Sequence, residues 1–385
     1  MVAAADLPAV AAVGGRLATR LVDVTDDVAA LDGSGFWVVV LPFAGAPVCA
    51  RFAEVRPVVG RPARTWVGPA ASAWTSSLDR EGFTAGVRAI RSGIADGDVY
   101  QVNLTRRLSA PLPPGADVVA LGTALAGGNP APHAAVVRLP AHGVHVASAS
   151  PERFLRRDGR LVESQPIKGT AATEDGFLPK DRAENVMIVD LVRNDLGRVC
   201  EWGSIEVPAL CAVEHHPGLV HLVSTVRGTL RAGAGWPELL DATFPPGSVT
   251  GAPKLAALDV IAAIEPVDRG PYCGAVGWVD ADRSQGDLNV AIRTFWFDGG
   301  MVHLGTGGAI TWDSDPDGEW EETVLKARRL LAVASGLGAD GVAGRAAPEP
   351  AAPGATARRA VAPVPGPAPS PAPAPPSVPR GRGLR

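Results

Sequence analysis

Cysteine is scarce in this 385-residue chain: Cys49, Cys200, Cys211 and Cys273 are its only four, and none stands in CxxC spacing. That excludes a disulfide scaffold, disfavours a structural zinc site, and makes a reducing cytoplasm the expected setting. A long apolar run is also missing. The uncharged, strongly apolar stretch 35–50 is broken by Pro42 and Pro47 and is too short for a bilayer-spanning helix, so it predicts a buried strand and a turn. No basic segment precedes the first apolar residues, and Asp6 interrupts them, which disfavours a secretory signal. There is no excess of basic residues either, the formal net charge being −4. Neither nucleic acid nor a membrane is therefore an expected partner, and an anionic small molecule would have to be met by a local cluster of donors.

The length allows two or three average domains, or one large α/β domain with insertions, and the 46% hydrophobic content is that of a soluble globular protein. Composition changes near residue 340. Residues 341–385 hold 12 of the 36 prolines and six arginines against one acid, Glu349, with no aromatic residue, so a disordered, partly polyproline tail is expected from residue 339 onward. Residues 1–340 then carry a net charge of −9.

Within the folded part, Val- and Ile-rich runs alternate with helix-like stretches. Strands are predicted at 36–41, 99–104, 134–139, 143–148, 274–279, 288–297 and 301–304. Helices are predicted at 83–94, 182–196, 237–242, 253–264 and 319–331, the last placing Glu319, Glu322 and Lys326 on one face. Several strands follow one another too closely for helical crossovers, which points to a largely antiparallel sheet with helices outside it.

Chemistry is suggested first by Ser150-Pro151-Glu152-Arg153-Phe154 and then by Pro166-Ile167-Lys168-Gly169-Thr170. Lys168 reads either as a salt-bridged lysine or, if desolvated, as a nucleophile or base. Glu152 reads either as a strand-end carboxylate paired with Arg153 or as a general acid whose pKa burial raises. Glu184, in the helix ending at Asn194-Asp195, and Glu319, Glu321 and Glu322 form two acidic groups far apart in sequence. Such carboxylates suit a solvated helix face, or Mg²⁺ if two helices bring them together. The Pro245–Lys254 stretch, PPGSVTGAPK, contains Ser248 and Thr250 and opens a helix whose backbone N–H groups could receive a carboxylate. It is not a Walker A loop, because Ala252 stands where glycine is required. A second glycine-rich turn is expected at Gly305-Thr306-Gly307-Gly308. Arg293 suits an ion pair or a carboxylate clamp, and His221, alternating with valine and leucine, suits a core position as well as a site.

These segments occur in one order: Gly97–Thr105, SPERF, PIKGT, the helix from Glu184 to Asp195, HLVSTVRG, PPGSVTGAPK, GAVGW, AIRT and EWEET. In that order they resemble the chorismate-utilising enzymes, which include the synthase subunits of anthranilate and aminodeoxychorismate synthases and the isochorismate and salicylate synthases. The resemblance covers about residues 80–335, with 81–338 as the catalytic core and 1–80 as the variable first part of the fold. It implies a large antiparallel β-sandwich flanked by helices, of the anthranilate synthase component I type, with chorismate and Mg²⁺ in a cleft. By the same resemblance Glu184 and Glu322 are Mg²⁺ ligands with Glu319 beside them. Arg293, Lys326, Gly307 and Gly308 contact substrate carboxylates, with Ser248 and Thr250 in the substrate loop. Glu152 is the general acid at the departing C4 hydroxyl, and His221 lies beside the ring.

Within the family, isochorismate and salicylate synthases carry a water-activating lysine where this chain has Gln101. Lys168 resembles the aminodeoxychorismate branch, in which this lysine attacks C2 before ammonia enters at C4. Anthranilate synthases usually have alanine there. The expectation is therefore formation of 4-amino-4-deoxychorismate for p-aminobenzoate and folate, the alternatives being anthranilate synthase component I or a catalytically silent chorismate-binding subunit. No glutaminase cysteine is evident, so a separate glutamine amidotransferase subunit is the expected ammonia source. Trp278 departs from the tyrosine that many anthranilate-forming relatives carry.

Overall fold

Residues 7–60, 65–171, 173–177, 179–216 and 219–337 are described by a computed structural model of the chain. The tail expected from residue 339 lies outside them. In chain order the strands are β1 (Val10–Val13), β2 (Arg16–Thr25), β3 (Phe36–Leu41), β4 (Val48–Pro57), β5 (Thr75–Ser76), β6 (Gln101–Pro111), β7 (His133–Leu139), β8 (Val144–Ser150) and β9 (Arg153–Asp158). They continue as β10 (Leu161–Gln165), β11 (Ile167–Ala171), β12 (Glu206–His216), β13 (Leu219–Thr229), β14 (Gly251–Ala252), β15 (Ala275–Asp280), β16 (Gln285–Val290), β17 (Thr294–Asp298) and β18 (Met301–Ile310). The helices are α1 (Arg80–Asp96), α2 (Val118–Gly128), α3 (Pro179–Gly197), α4 (Trp236–Thr243), α5 (Lys254–Ile264) and α6 (Pro316–Ala334).

Among the described residues every strand pairing is antiparallel, and the pairs form one ribbon. From one end it runs β5, β6, β18, β17, β8, β7, β1, β2, β4, β3, β15, β16, β9, β10, β13, β12, with β14 added to β6 and β11 to β13. The ribbon folds back on itself. Asn289 of β16 donates to the His133 carbonyl of β7 at 2.7 Å, and Ser150 at the end of β8 donates to the Val290 carbonyl at 2.6 Å. Strands β1 to β4 share one apolar core with β15, β16, α3 and α4. A second core lies under α2 and α6, and a third joins α1 and α5 to β6. This is the large antiparallel sheet with outer helices expected from the sequence.

Helix ends follow local chemistry. Asp79 caps α1 by accepting from Gly82 N at 2.8 Å, Phe83, Val87 and Ile90 bury one face, and Gly97 ends the helix in the left-handed region at φ 84°. Asp315 caps α6 in the same way at 2.7 Å, with Pro316 in the first turn.

Three sequence expectations need correction. The run 288–297 is not one strand: it breaks at Ala291–Arg293 between β16 and β17, and Arg293 takes φ 51° there. Gly305 to Gly308 are not a turn but the middle of β18, paired in register with β6. The glycines permit close approach, since a Cβ at Gly307 would meet the Leu104 carbonyl oxygen and one at Gly305 the Tyr272 ring. Helix α2 was not predicted, because VVALGTALAGG is apolar on all sides. Its glycines serve packing, Gly122 against Val136 and Gly128 against Val333.

Gly307→Ala should force β18 away from β6 and lower the unfolding free energy by about 2 kcal/mol or more. Gly127→Ala, where a Cβ meets nothing within 4 Å, should be neutral or stabilising by up to ~1 kcal/mol. Urea midpoints of the two variants compare them directly, and equal midpoints would remove the close-approach argument.

Candidate active site

Glu152 follows the end of β8 and is 4% exposed. Burial pushes its carboxyl up to about 7, against the opposing pull of the Ser248 side chain, the charge of Lys168, the Ile167 backbone N–H and the charge of Arg293. Lys168 lies on β11, and its Nζ donates to the Ser248 carbonyl at 3.2 Å. Burial lowers its ammonium below the usual lysine range, and Lys326 acts in the same direction. Glu184, Glu152 and Glu322 oppose the shift. Strand β11, the end of β8 and the loop before α5 therefore bring an amine and a carboxyl together, each shifted toward its neutral form.

The second group sits on two helices. Glu184 of α3 is raised by burial and lowered by Lys168 and Lys180. On α6, burial alone would raise Glu322, but Lys326, Lys180 and Lys168 outweigh it and hold this carboxyl below its ordinary range. Lys326 Nζ lies 2.7 Å from Glu322 Oε1 and donates to the Gly307 carbonyl at 3.0 Å, a half-exposed pair at the edge of β18. Glu319 is buried, is raised by that burial, and accepts from Ser314 Oγ at 2.7 Å. A Cβ at Gly308 would come within 3.0 Å of Glu319 Oε2. Arg293 sits at the break between β16 and β17. Burial lowers its guanidinium and the Glu152 charge opposes this.

The geometry thus gathers Glu152, Lys168, Ser248, Glu184, Glu322, Lys326 and Arg293. The other expected residues stand differently. Thr250 is fully buried and its hydroxyl is turned into its own loop, donating to the Pro246 carbonyl at 3.1 Å. His221 is 2% exposed in β13, in register with Thr170 of β11 and Glu214 of β12. Trp278 stacks on Phe36 at 5.8 Å with Arg16 over its ring, a core-edge position.

Two carboxylates on different helices, coupled to each other and to partly accessible lysines, fit a cation that takes one or two protein carboxylates and completes its shell with water or substrate oxygen. A three-acid cage does not form: no group of three or more potential ligands comes close enough to hold a metal among the described residues.

Sequence reading missed several residues here. Gln101 serves the sequence reading only as a branch marker, yet it is 0% exposed and neither polar atom of its amide has a hydrogen-bond partner among the described residues. Lys180 contributes to the electrostatics of Glu184, Glu319 and Glu322. Lys254 lies behind the loop that carries Ser248. A signal for these was available: only four of the 36 basic residues are lysines, 168, 180, 254 and 326, and all four border this region.

Residues 53–332 match the family of chorismate binding enzymes. The chain belongs to that family. Anthranilate synthase component 1 of Streptomyces coelicolor is 42% identical over 286 residues, covering 71% of this chain and 55% of the relative. Aminodeoxychorismate synthase component 1 of Klebsiella aerogenes is 40% identical over 272 residues, covering 68% and 59%. The chain therefore spans little more than half the length of these curated relatives. A solved structure described as a putative 2,3-dihydroxybenzoate-specific isochorismate synthase from Bacillus anthracis superposes with a TM-score of 0.70 at 25% identity, covering 86% of this chain and 96% of that one. Like the family fold, the chain is a mixed α/β structure. No helix among the described residues is long and apolar enough to cross a membrane.

The raised Glu152 pKa carries a stability consequence. Between its ordinary value of 4.5 and about 7, the folded state binds more protons than the unfolded state, so stability falls as pH rises through that window. Glu152→Gln, which mimics the protonated form, should be more stable than the parent by on the order of 3 kcal/mol at about pH 8, with the gain vanishing near pH 4. Thermal melts at the two pH values measure this; a variant destabilised at both would contradict the assignment.

Proposed function

We propose that the chain is the synthase component of an aminodeoxychorismate synthase, converting chorismate and ammonia to 4-amino-4-deoxychorismate. What carries the reading is a part-buried amine, Lys168, beside a buried acid, Glu152, with their pKa values shifted toward each other. A neutral amine is a nucleophile and a protonated carboxyl is an acid, and the two forms coexist near neutral pH only if both are shifted this way.

In the proposed reaction Lys168 adds through its nitrogen lone pair to C2 of the ring. The two conjugated ring double bonds shift, from C1=C2 and C5=C6 to C1=C6 and C4=C5, and the C4–O bond breaks as Glu152 gives its proton to the departing hydroxyl, which leaves as water. Ammonia then bonds to C4, both double bonds shift back, and the C2–N bond breaks, returning the amine of Lys168. Protons released from the attacking nitrogens restore Glu152. Arg293 and Lys326 would hold the substrate carboxylates, and Ser248 would orient both reacting side chains. Glu184 and Glu322 would hold Mg²⁺, whose charge would neutralise and orient a substrate carboxylate. Gln101, lacking an ammonium, offers no counterpart to a water-activating lysine, which disfavours isochorismate formation. A glutamine amidotransferase subunit in the cytoplasm is the proposed source of ammonia; several relatives are named as a component 1.

Incubation with chorismate, Mg²⁺ and ammonium, followed by mass identification of the product, tests the reading. With ammonia withheld, an adduct should appear on the peptide containing Lys168. Lys168→Ala should lose the adduct and most of the 4-amino product, and Glu152→Gln should slow turnover roughly a thousandfold. Glu184→Ala and Glu322→Ala should each abolish the response to Mg²⁺ while leaving the fold intact. Full 4-amino product from Lys168→Ala would defeat the covalent route, and anthranilate as the wild-type product would move the chain to the anthranilate synthases.

A further inference from the structure

The loop that carries Ser248 is closed at its base by one ammonium. Lys254 Nζ donates to the Thr243 carbonyl at 2.9 Å, joining the residue that begins segment 243–254 to the residue that ends it. The same Nζ lies 2.7 Å from Asp195 Oδ2, with only 15% and 8% of the two side chains exposed. Asp195 belongs to the last turns of α3. It stands eleven residues beyond Glu184, about 16 Å along the helix axis, too far to touch whatever Glu184 binds. At the other end of the loop, the Ser248 carbonyl accepts from Lys168 and the Ser248 side chain reaches Glu152. A cavity of about 20 Å³, room for about one water, lies between, walled by Asp195, Thr243, Ser248 and Glu152.

A buried ion pair is a costly way to fasten a loop. Burial moves Asp195 up and Lys254 down, each toward its neutral form, and apolar side chains commonly stabilise such a place as well or better. What the pair supplies is direction: one ammonium fixes three points at once, the helix carrying Glu184 and both ends of the loop. From the opposite side, Arg269 donates to the Val249 carbonyl at 2.8 Å and to the Asn103 carbonyl at 2.7 Å, so the tip is held between two cations.

We propose that Asp195 and Lys254 form a positioning brace that acts through Ser248 to aim the Lys168 amine. The inference rests on the proposed role of Lys168, and the experiment separates the two. In Asp195→Leu/Lys254→Met the pair is replaced by apolar side chains. Chorismate turnover per folded molecule should fall about a hundredfold, as for a reacting group misplaced by an ångström, with KM little changed. Formation of the Lys168 adduct should slow by the same factor while the melting temperature stays close to the parent. Lys254→Arg, which can keep both contacts, should recover most of the rate. If the apolar pair does not fold, Asp195→Asn keeps the shape and takes its place. Full turnover in the uncharged variant, or a loss explained by its unfolded fraction, would overturn the brace.

If the wild type forms no Lys168 adduct, the proposed function fails and the brace is decided by labelling. With four lysines in the chain, trace acetylation and peptide mass analysis read each one separately. The ratio of Lys168 to Lys326 labelling should shift severalfold between wild type and the uncharged variant. An unchanged ratio refutes the brace.

Discussion

An amine and a carboxyl share a place from which water is largely excluded, and the arrangement around them follows from the cost of burying charge. Neither Lys168 nor Glu152 is stable there alone. Each is supported by the other and by groups from separate elements: Ser248 from the loop before α5, Arg293 from the break between β16 and β17, Glu184 from α3 and Glu322 from α6. The sheet has to curve back on itself for strands so distant in sequence to meet. The β16 to β8 contacts, Ser150 with Val290 and Asn289 with His133, fasten that return close to Glu152. Left-handed backbone at Arg293, uncommon for a residue with a Cβ, lies at the same junction.

Much of this frame was legible because local chemistry and tertiary structure agree. Asp79 and Asp315 stand where helix caps belong, and strand β3 is a plain apolar run that is buried along its whole length. Legibility failed where tertiary packing gives a residue a meaning different from its local one. Glycine ordinarily marks a turn, but in β18 it marks the approach of one backbone to another. Strand β9, RFLRRD, carries too much charge to read as a strand, yet Arg153 is satisfied across the sheet by Asp287 at 3.1 Å and Gln165 at 2.7 Å.

The site was legible in a different way. No periodicity joins Glu152 to Glu322, and the positions were recognised through the order of several short segments. That route found the groups that meet at the site and could not find what holds them. Asp195 and Lys254 are 59 residues apart, and neither stretch signals a partner. Thr250 shows the converse: its hydroxyl is bonded inside the loop, so that part of the segment's polarity serves the loop's own geometry.

The division of labour between the two basic residue types completes the picture. Arginine, always charged and with five donors, serves as framework in this chain. Arg269 ties Glu265, Val249 and Asn103 together, Arg138 grips Asp117 with two bonds at 2.9 Å, and Arg106 joins Thr323 to Ser76. Lysine is kept for four positions at or behind one site. A guanidinium cannot give up its proton there, whereas an ammonium can be tuned by burial, as at Lys168 and Lys254. At Lys254 the ammonium bonds a carboxylate and a helix-end carbonyl at once. In a chain that otherwise uses arginine almost throughout, the four lysines therefore gather at or behind the one place where the proton of a cation can be tuned, and that physical distinction links a compositional bias to the location of the site.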